Sequence, residues 1–207
     1  MTAQCETCAP ETSSVTFTCC GKLPNDHFSE SGQVWSPLPY ARHAPTETYG
    51  TIGYLGCGLT SLATLINYYS NNVSNTIPVT NPKLLNEYLL NNNGYNDGND
   101  VKFDTIDNYS NGRAFFIGRY DLDDPYNKEG LLGMADGIIR SGIPMAFWVK
   151  RRTLKSDGTF RFTPHFITVI GKCGNNFIIA DPAGGIERLY NPDEPDLLFR
   201  GLRIFGT

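Results

Sequence analysis

Apolar and polar positions along the chain change rhythm several times, and each rhythm predicts an element. From Cys57 to Tyr69, Leu59, Leu62, Ala63, Leu65, Ile66 and Tyr69 recur every three or four residues, which puts them on one face of a helix. The polar run "SNNVSN" ends it. "NPKLLNEYLL" opens a second helix: Asn81 can accept from an unpaired first-turn N–H, and Pro82 suits the first helical position, where no N–H is needed. "NNNGYNDGND" stops that helix, "FDTIDNYSN" reads as a short third, and "LLGMADGIIRSG" as a fourth closed by Gly142. The pattern then shifts to strands. "IPMAFWVKRR" runs to a turn at "SDG", "FRFTPHFITVIG" returns, "CGNN" turns again, and "NFIIADP" follows. "ERLY" and "LLFRGLRIFGT" supply one or two more.

Helices that precede an antiparallel sheet predict an α+β fold, with helices from the N-terminal part packed on a C-terminal sheet. Residues 33–207 form the expected domain, entered through a proline-bearing extended segment over 33–50. Residues 1–32 have little periodicity and are rich in Thr, Ser, Glu and Cys, so they read as a separate arm, with "VTFTCC" as a short strand.

Composition narrows the function classes. With 207 residues, 40% of them apolar and 12% aromatic, the chain can bury a proper core. The net charge is −4 and the longest basic run is "KRR", which argues against a nucleic-acid partner, since phosphate binding needs a concentrated basic face. No segment has the apolar length of a membrane span, and the first residues have neither the basic start nor the apolar centre of a signal peptide. The compartment stays open between cytoplasmic and particle-associated. "DLDD" lacks the ligand spacing of a calcium loop, and "GCG" lacks the lysine of a phosphate loop.

The chemistry centres on Cys57, which sits between two glycines where the first helix begins. A helix N-terminus carries unpaired N–H groups and partial positive charge, which favour a thiolate. Burial as a small apolar side chain is the competing reading. A thiolate nucleophile needs a base, and the histidines available are His27, His43 and His165. His165 opens the strand "HFITVIG", and the strand after the short turn ends at Asp181. Antiparallel neighbours joined in this way bring the start of one strand beside the end of the next, so His165 and Asp181 are expected within hydrogen-bond reach.

Taken together, "YGTIGYLGCGLTSLATLINYY", "NPKLLNEYLLNNNGY", "SGIPMAFWV" and "PHFITVIGKCGNNFIIADP" resemble the bacteriocin-processing type of cysteine peptidase, on the papain-like fold, over residues 49 to 185. The resemblance implies a thiol protease with a catalytic triad: Cys57 as nucleophile, His165 as general base and acid, and Asp181 as its orienter. It also implies a glutamine upstream that donates to the oxyanion. Gln33 is the nearest one, though the acidic and tryptophan spacing of the family around it is not reproduced. The implied reaction is hydrolysis of a peptide bond, in a leader peptide or a peptidoglycan stem peptide, with no cofactor for catalysis. An acyl or peptidyl transferase would use the same groups, and a non-catalytic binding module of a larger assembly would keep the same fold.

The remaining cysteines need separate readings. Cys173 reads as an incidental turn residue. Cys5, Cys8, Cys19 and Cys20 crowd together near the start; thiolate pairs there suit a zinc ion, with His27 able to replace one ligand, and disulfides suit them equally. Unpaired thiols are a third reading; the arm is either a small docking element for a partner or a segment with too little core of its own that such a staple holds together.

Overall fold

The structure is a computed structural model that describes residues 20–24, 26–122 and 127–207. Its architecture is α+β: among the described residues there are five helices and seven strands, every strand pair antiparallel, in one sheet. In chain order these are β1 (Cys20–Lys22), α1 (Ile52–Leu55), α2 (Cys57–Asn72), α3 (Pro82–Asn91), α4 (Thr105–Tyr109), β2 (Phe115–Asp121), α5 (Lys128–Arg140), β3 (Met145–Leu154), β4 (Phe160–Cys173), β5 (Asn176–Asp181), β6 (Ile186–Tyr190) and β7 (Leu197–Gly206). The spatial order is β2-β7-β3-β4-β5-β6, and β1 pairs with the far end of β4.

The local signals act as the sequence predicts at several ends. Asn81 caps α3, its Oδ1 accepting from Leu84 N–H at 3.0 Å, and Pro82 is the first helical residue. Asn127 caps α5 in the same way through Gly130 N–H at 2.7 Å. Gly142 sits at φ +82° just beyond α5, a left-handed position that suits glycine. Helices and strands do not separate cleanly along the chain, however. β2 precedes α5 and pairs with β7 at the edge of the sheet. Its outer residues are exposed or half-buried, so it lacks the buried alternation by which strands are recognised.

α2 is buried from Gly58 to Ser70, a wider face than its apolar stripe, and it packs on β3 and β4. α5 contacts β4 and β7. Met145, Ala146 and Phe147 are consecutively buried in β3, so both faces of the sheet are covered there. Phe147 is the hub of the apolar layer, with its ring 5.0 Å from Phe177 on β5 and 5.1 Å from Phe199 on β7.

β3 pairs with β4 along its whole length, from Met145↔Val169 to Leu154↔Phe160. β5 joins β4 only from Thr168 onward. The outer half of the β3–β4 hairpin therefore projects beyond β5, and Pro164 sits there, where its missing N–H breaks no ladder on that side. The hairpin forms one wall of a cleft whose opposite side is the start of α2.

The segment before the predicted domain is joined to the sheet. β1 is in register with Gly171–Cys173, with Cys20 opposite Cys173, and Glu30 N–H donates to the Pro182 carbonyl at 2.9 Å. Cys173, read from the sequence as an incidental turn residue, ends β4 and is disulfide-bonded. The side chains of Cys5, Cys8, Cys19 and Cys20, and the strand read from "VTFTCC" apart from its last residue, lie outside the described residues.

Candidate active site

The first turn of α2 is built by a close stack of backbone. Gly56 ends α1 and begins α2, and its N–H donates to the Ile52 carbonyl at 2.8 Å. A Cβ at Gly56 would lie 2.4 Å from that carbonyl oxygen. Glycine is required here so that two helical segments can join without a spacer, at a φ of −82° that any residue can adopt. α2 then starts at Cys57 with no side chain capping it. Cys57 is a half-buried free cysteine that lines the cleft.

β4 and β5 carry the other two sequence-predicted residues. His165 is opposite Val149 on β4, and Asp181 is the last residue of β5. His165 Nε2 and Asp181 Oδ1 are 2.7 Å apart, and both side chains are almost wholly excluded from solvent. Asp181 Oδ1 also accepts from Ala183 N–H at 3.0 Å, a turn contact that fixes the carboxylate. With Nε2 engaged, Nδ1 is the nitrogen left for the Cys57 sulfur.

The electrostatics bind the three together. Burial works against the His165 imidazolium, but hydrogen bonds to Asp181 and Cys57 and the charges on both outweigh it and raise its pKa to about 10. Burial also works against the Asp181 carboxylate; the His165 hydrogen bond and charge overcome it and hold the group below the usual carboxylate range.

Gln33 does not join them. It is exposed and is not among the residues lining the cleft. Glu30 is there instead: it is 8% exposed and lines the same cleft as Cys57 and His165. The loop bearing it is held from several sides. Ser36 Oγ donates to the Glu30 carbonyl at 2.7 Å, and Trp35 Nε1 donates to the Ser29 carbonyl at 2.9 Å. The tie to Pro182 anchors it to the turn that follows Asp181. Sequence reasoning passed over Glu30 because nothing in "FSESGQVW" distinguishes a buried glutamate from a solvated one.

The cleft holds about 950 Å³ and is lined by Tyr40, Tyr54, Leu55, Phe103, Phe116, Trp148 and Phe166 among its apolar groups. Lys102, Arg119, Arg151, Arg161 and Arg203 line it too, against Glu30, Asp100 and Asp104. Arg119 and Arg203 are both ion-paired with Asp121, so the cations that bear on the cleft apart from that pairing are Lys102, Arg151 and Arg161.

The other expected ligand, His27, lies with Nε2 3.1 Å from the Gly185 carbonyl and Nδ1 3.3 Å from Glu187. Among the described residues, no cluster of His, Cys, Asp and Glu suits a metal ion. No helix among them is long and apolar enough to cross a membrane.

The model of the Peptidase_C39 like family matches residues 38–194, a span that takes in Cys57, His165 and Asp181. The chain belongs to this family. The membership indicates a cysteine peptidase. No curated protein and no solved structure matches the chain significantly.

Proposed function

We propose that the protein is a papain-like cysteine peptidase that hydrolyses peptide bonds with Cys57, His165 and Asp181. The observation that carries this reading is the 2.7 Å His165–Asp181 contact beside a free, half-buried cysteine at the uncapped start of a 16-residue helix. The Cys57 sulfur attacks the carbonyl carbon of the scissile bond, with its proton resident on His165. The carbonyl oxygen becomes an oxyanion, stabilised by N–H groups at the start of α2, where peptide dipoles converge. His165 then gives its proton to the leaving amine, and an acyl-enzyme thioester remains. Water, deprotonated by His165, hydrolyses the thioester and restores the thiol. Asp181 keeps the ring turned so that one nitrogen serves the sulfur throughout.

The substrate is a peptide, and a leader peptide or a peptidoglycan stem peptide fits the site. Arg151 and Arg161, on the β3–β4 wall of the cleft, favour a chain bearing carboxylates, as stem peptides do. The test is mass-spectrometric detection of new termini in acidic peptides and in muropeptides. The unsubstituted protein is expected to generate them, and Cys57→Ala to generate none. Equal product from both would remove the reading.

A further inference from the structure

Glu30 has no place in the reaction as described, and its setting is unusual. It is a carboxyl group inside the protein, 8% exposed, and its Oε2 is fully buried with no hydrogen-bond partner among the described residues. An unpartnered buried carboxylate is costly, whereas a carboxylic acid that awaits an acceptor is tolerable. The group lines the cleft that holds Cys57 and His165, on a loop tied to the turn after Asp181 and to Ser36. The backbone approach is tight: a Cβ at Gly53, in α1, would be 3.2 Å from the Glu30 carbonyl, and one at Gly185 would be 2.7 Å from Ser29 Cβ. The backbone that carries the carboxyl is thus held firmly in the cleft that contains Cys57 and His165, and Gln33, the residue expected to donate there, does not line it.

We propose that Glu30, as a neutral carboxylic acid, donates its proton in a hydrogen bond to the oxyanion formed when Cys57 is acylated. The proposal rests on the peptidase reading of the same cleft. No bond to the Glu30 proton breaks: the O–H donates to the oxyanion while the tetrahedral intermediate lasts and is freed as the carbonyl re-forms. Once ionised, the group has no donor and sets a negative charge against the developing oxyanion.

The surroundings decide when the proton is present. His165 from β4, Asp181 from β5 and Arg151 from β3 are the charged groups that act on it, and Cys57 from α2 and Tyr40 line the same cleft. Burial raises the Glu30 pKa, the Asp181 charge adds to this, and His165 and Arg151 oppose it, for a value of about 7. Acylation is therefore expected to be full below neutrality and to fall as the pH rises through about 7.

Two reagents separate the oxyanion from the nucleophile. p-Nitrophenyl acetate acylates a thiol through a tetrahedral oxyanion; iodoacetamide alkylates it by displacement, with no oxyanion. Both rates are measured against pH for the unsubstituted chain, Glu30→Gln, Glu30→Ala and Cys57→Ala, with circular dichroism to establish folding. Glu30→Ala is expected to lower Cys57-dependent acylation about a hundredfold at pH 6, the usual loss for one oxyanion donor, while alkylation changes less than threefold. Glu30→Gln, a donor at every pH, is expected to keep acylation and to abolish its decline above pH 7. Acylation by Glu30→Ala within threefold of the unsubstituted chain would overturn the proposal. So would a decline that persists in Glu30→Gln, or one that alkylation shares, which would mark a charge acting on the sulfur. Failure of Glu30→Ala to fold leaves Glu30→Gln to decide. No Cys57-dependent acylation at all would remove the peptidase reading and this proposal with it.

Discussion

Asp181 and Glu30 are two carboxyl groups that both interact with the His165 charge and are pushed in opposite directions. Asp181 accepts two hydrogen bonds on Oδ1, from His165 and from Ala183 N–H, and its charge is held. Glu30 has burial without a partner for Oε2, and its charge is suppressed. Replacing Asp181 by Asn leaves the shape and removes the charge. The pKa of His165 is then expected to fall by NMR titration, and peptide turnover to drop by roughly 10²- to 10⁴-fold, as when a triad loses its orienting carboxylate. Glu30 has a signature in stability as well. Its folded pKa lies above the unfolded value of 4.5, so the native chain binds more protons between pH 4.5 and about 7. The contribution is whole below pH 4.5 and is lost as the pH rises through about 7, which amounts to roughly 3 kcal/mol. Denaturant titrations of Glu30→Gln and the unsubstituted chain should therefore diverge across that window, with Glu30→Gln the more stable at pH 8. Parallel pH profiles would show that the carboxyl is solvated. His165 acts in the same direction at higher pH: its contribution is full below 6.5 and is lost as the pH rises through about 10.

At the scale of elements, the junction of α1 and α2 determines where the sulfur stands. The glycine before Cys57 is required by the Ile52 carbonyl 2.4 Å from its missing Cβ, and opening the cleft to substrate is a secondary consequence. Gly56→Ala must push α1 away from α2. Because α1 carries Tyr54 and Leu55 into the cleft, both stability and turnover should suffer. We expect a loss of about 1–3 kcal/mol, the usual cost of forcing a group into packed structure, and a fall in kcat/KM on peptide. A variant as stable and active as the unsubstituted chain would show that the stack is slack. The β3–β4 hairpin is the counterpart on the other wall. Its outer half escapes β5, which leaves Arg151 and Arg161 to line the cleft.

Across the whole molecule, the sheet is a rigid frame that sets the His165–Asp181 distance. Phe147 ties β3 to β5, β6 and β7 through ring contacts with Phe177, Tyr190 and Phe199. Phe147→Ala is expected to cost about 3–5 kcal/mol in urea unfolding, the range for a deleted buried aromatic ring. A loss below 1 kcal/mol would mean that the layer collapses around the gap. The disulfide at Cys173 adds a covalent tie at the end of β4. Near it, β1 extends the ladder on the β3 side, beyond the point where β3 begins at Met145↔Val169.

Much of this was legible in the chain. The three-and-four spacing of α2, the Asn81–Pro82 start of α3, Gly142 after α5, and the alternating strands around "SDG" and "CGNN" are local signals, and local backbone physics enforces them. They sufficed to put Cys57 at a helix start and to bring His165 and Asp181 to one end of neighbouring strands. β2 was not legible, because an edge strand with exposed or half-buried outer residues carries little pattern. Glu30 and Gln33 could not be told apart either: both lie in a loop, where burial depends on which distant backbone closes over the segment. Pro182, Ser36 and Gly53 meet the backbone of Glu30 on both sides, and only the folded chain brings them there. The sequence by itself determined most of the elements and where along them Cys57, His165 and Asp181 fall; the tertiary structure decided which carboxyl group is enclosed in the cleft that Cys57 lines, because desolvation is a property of the assembled cleft and of no single stretch of chain.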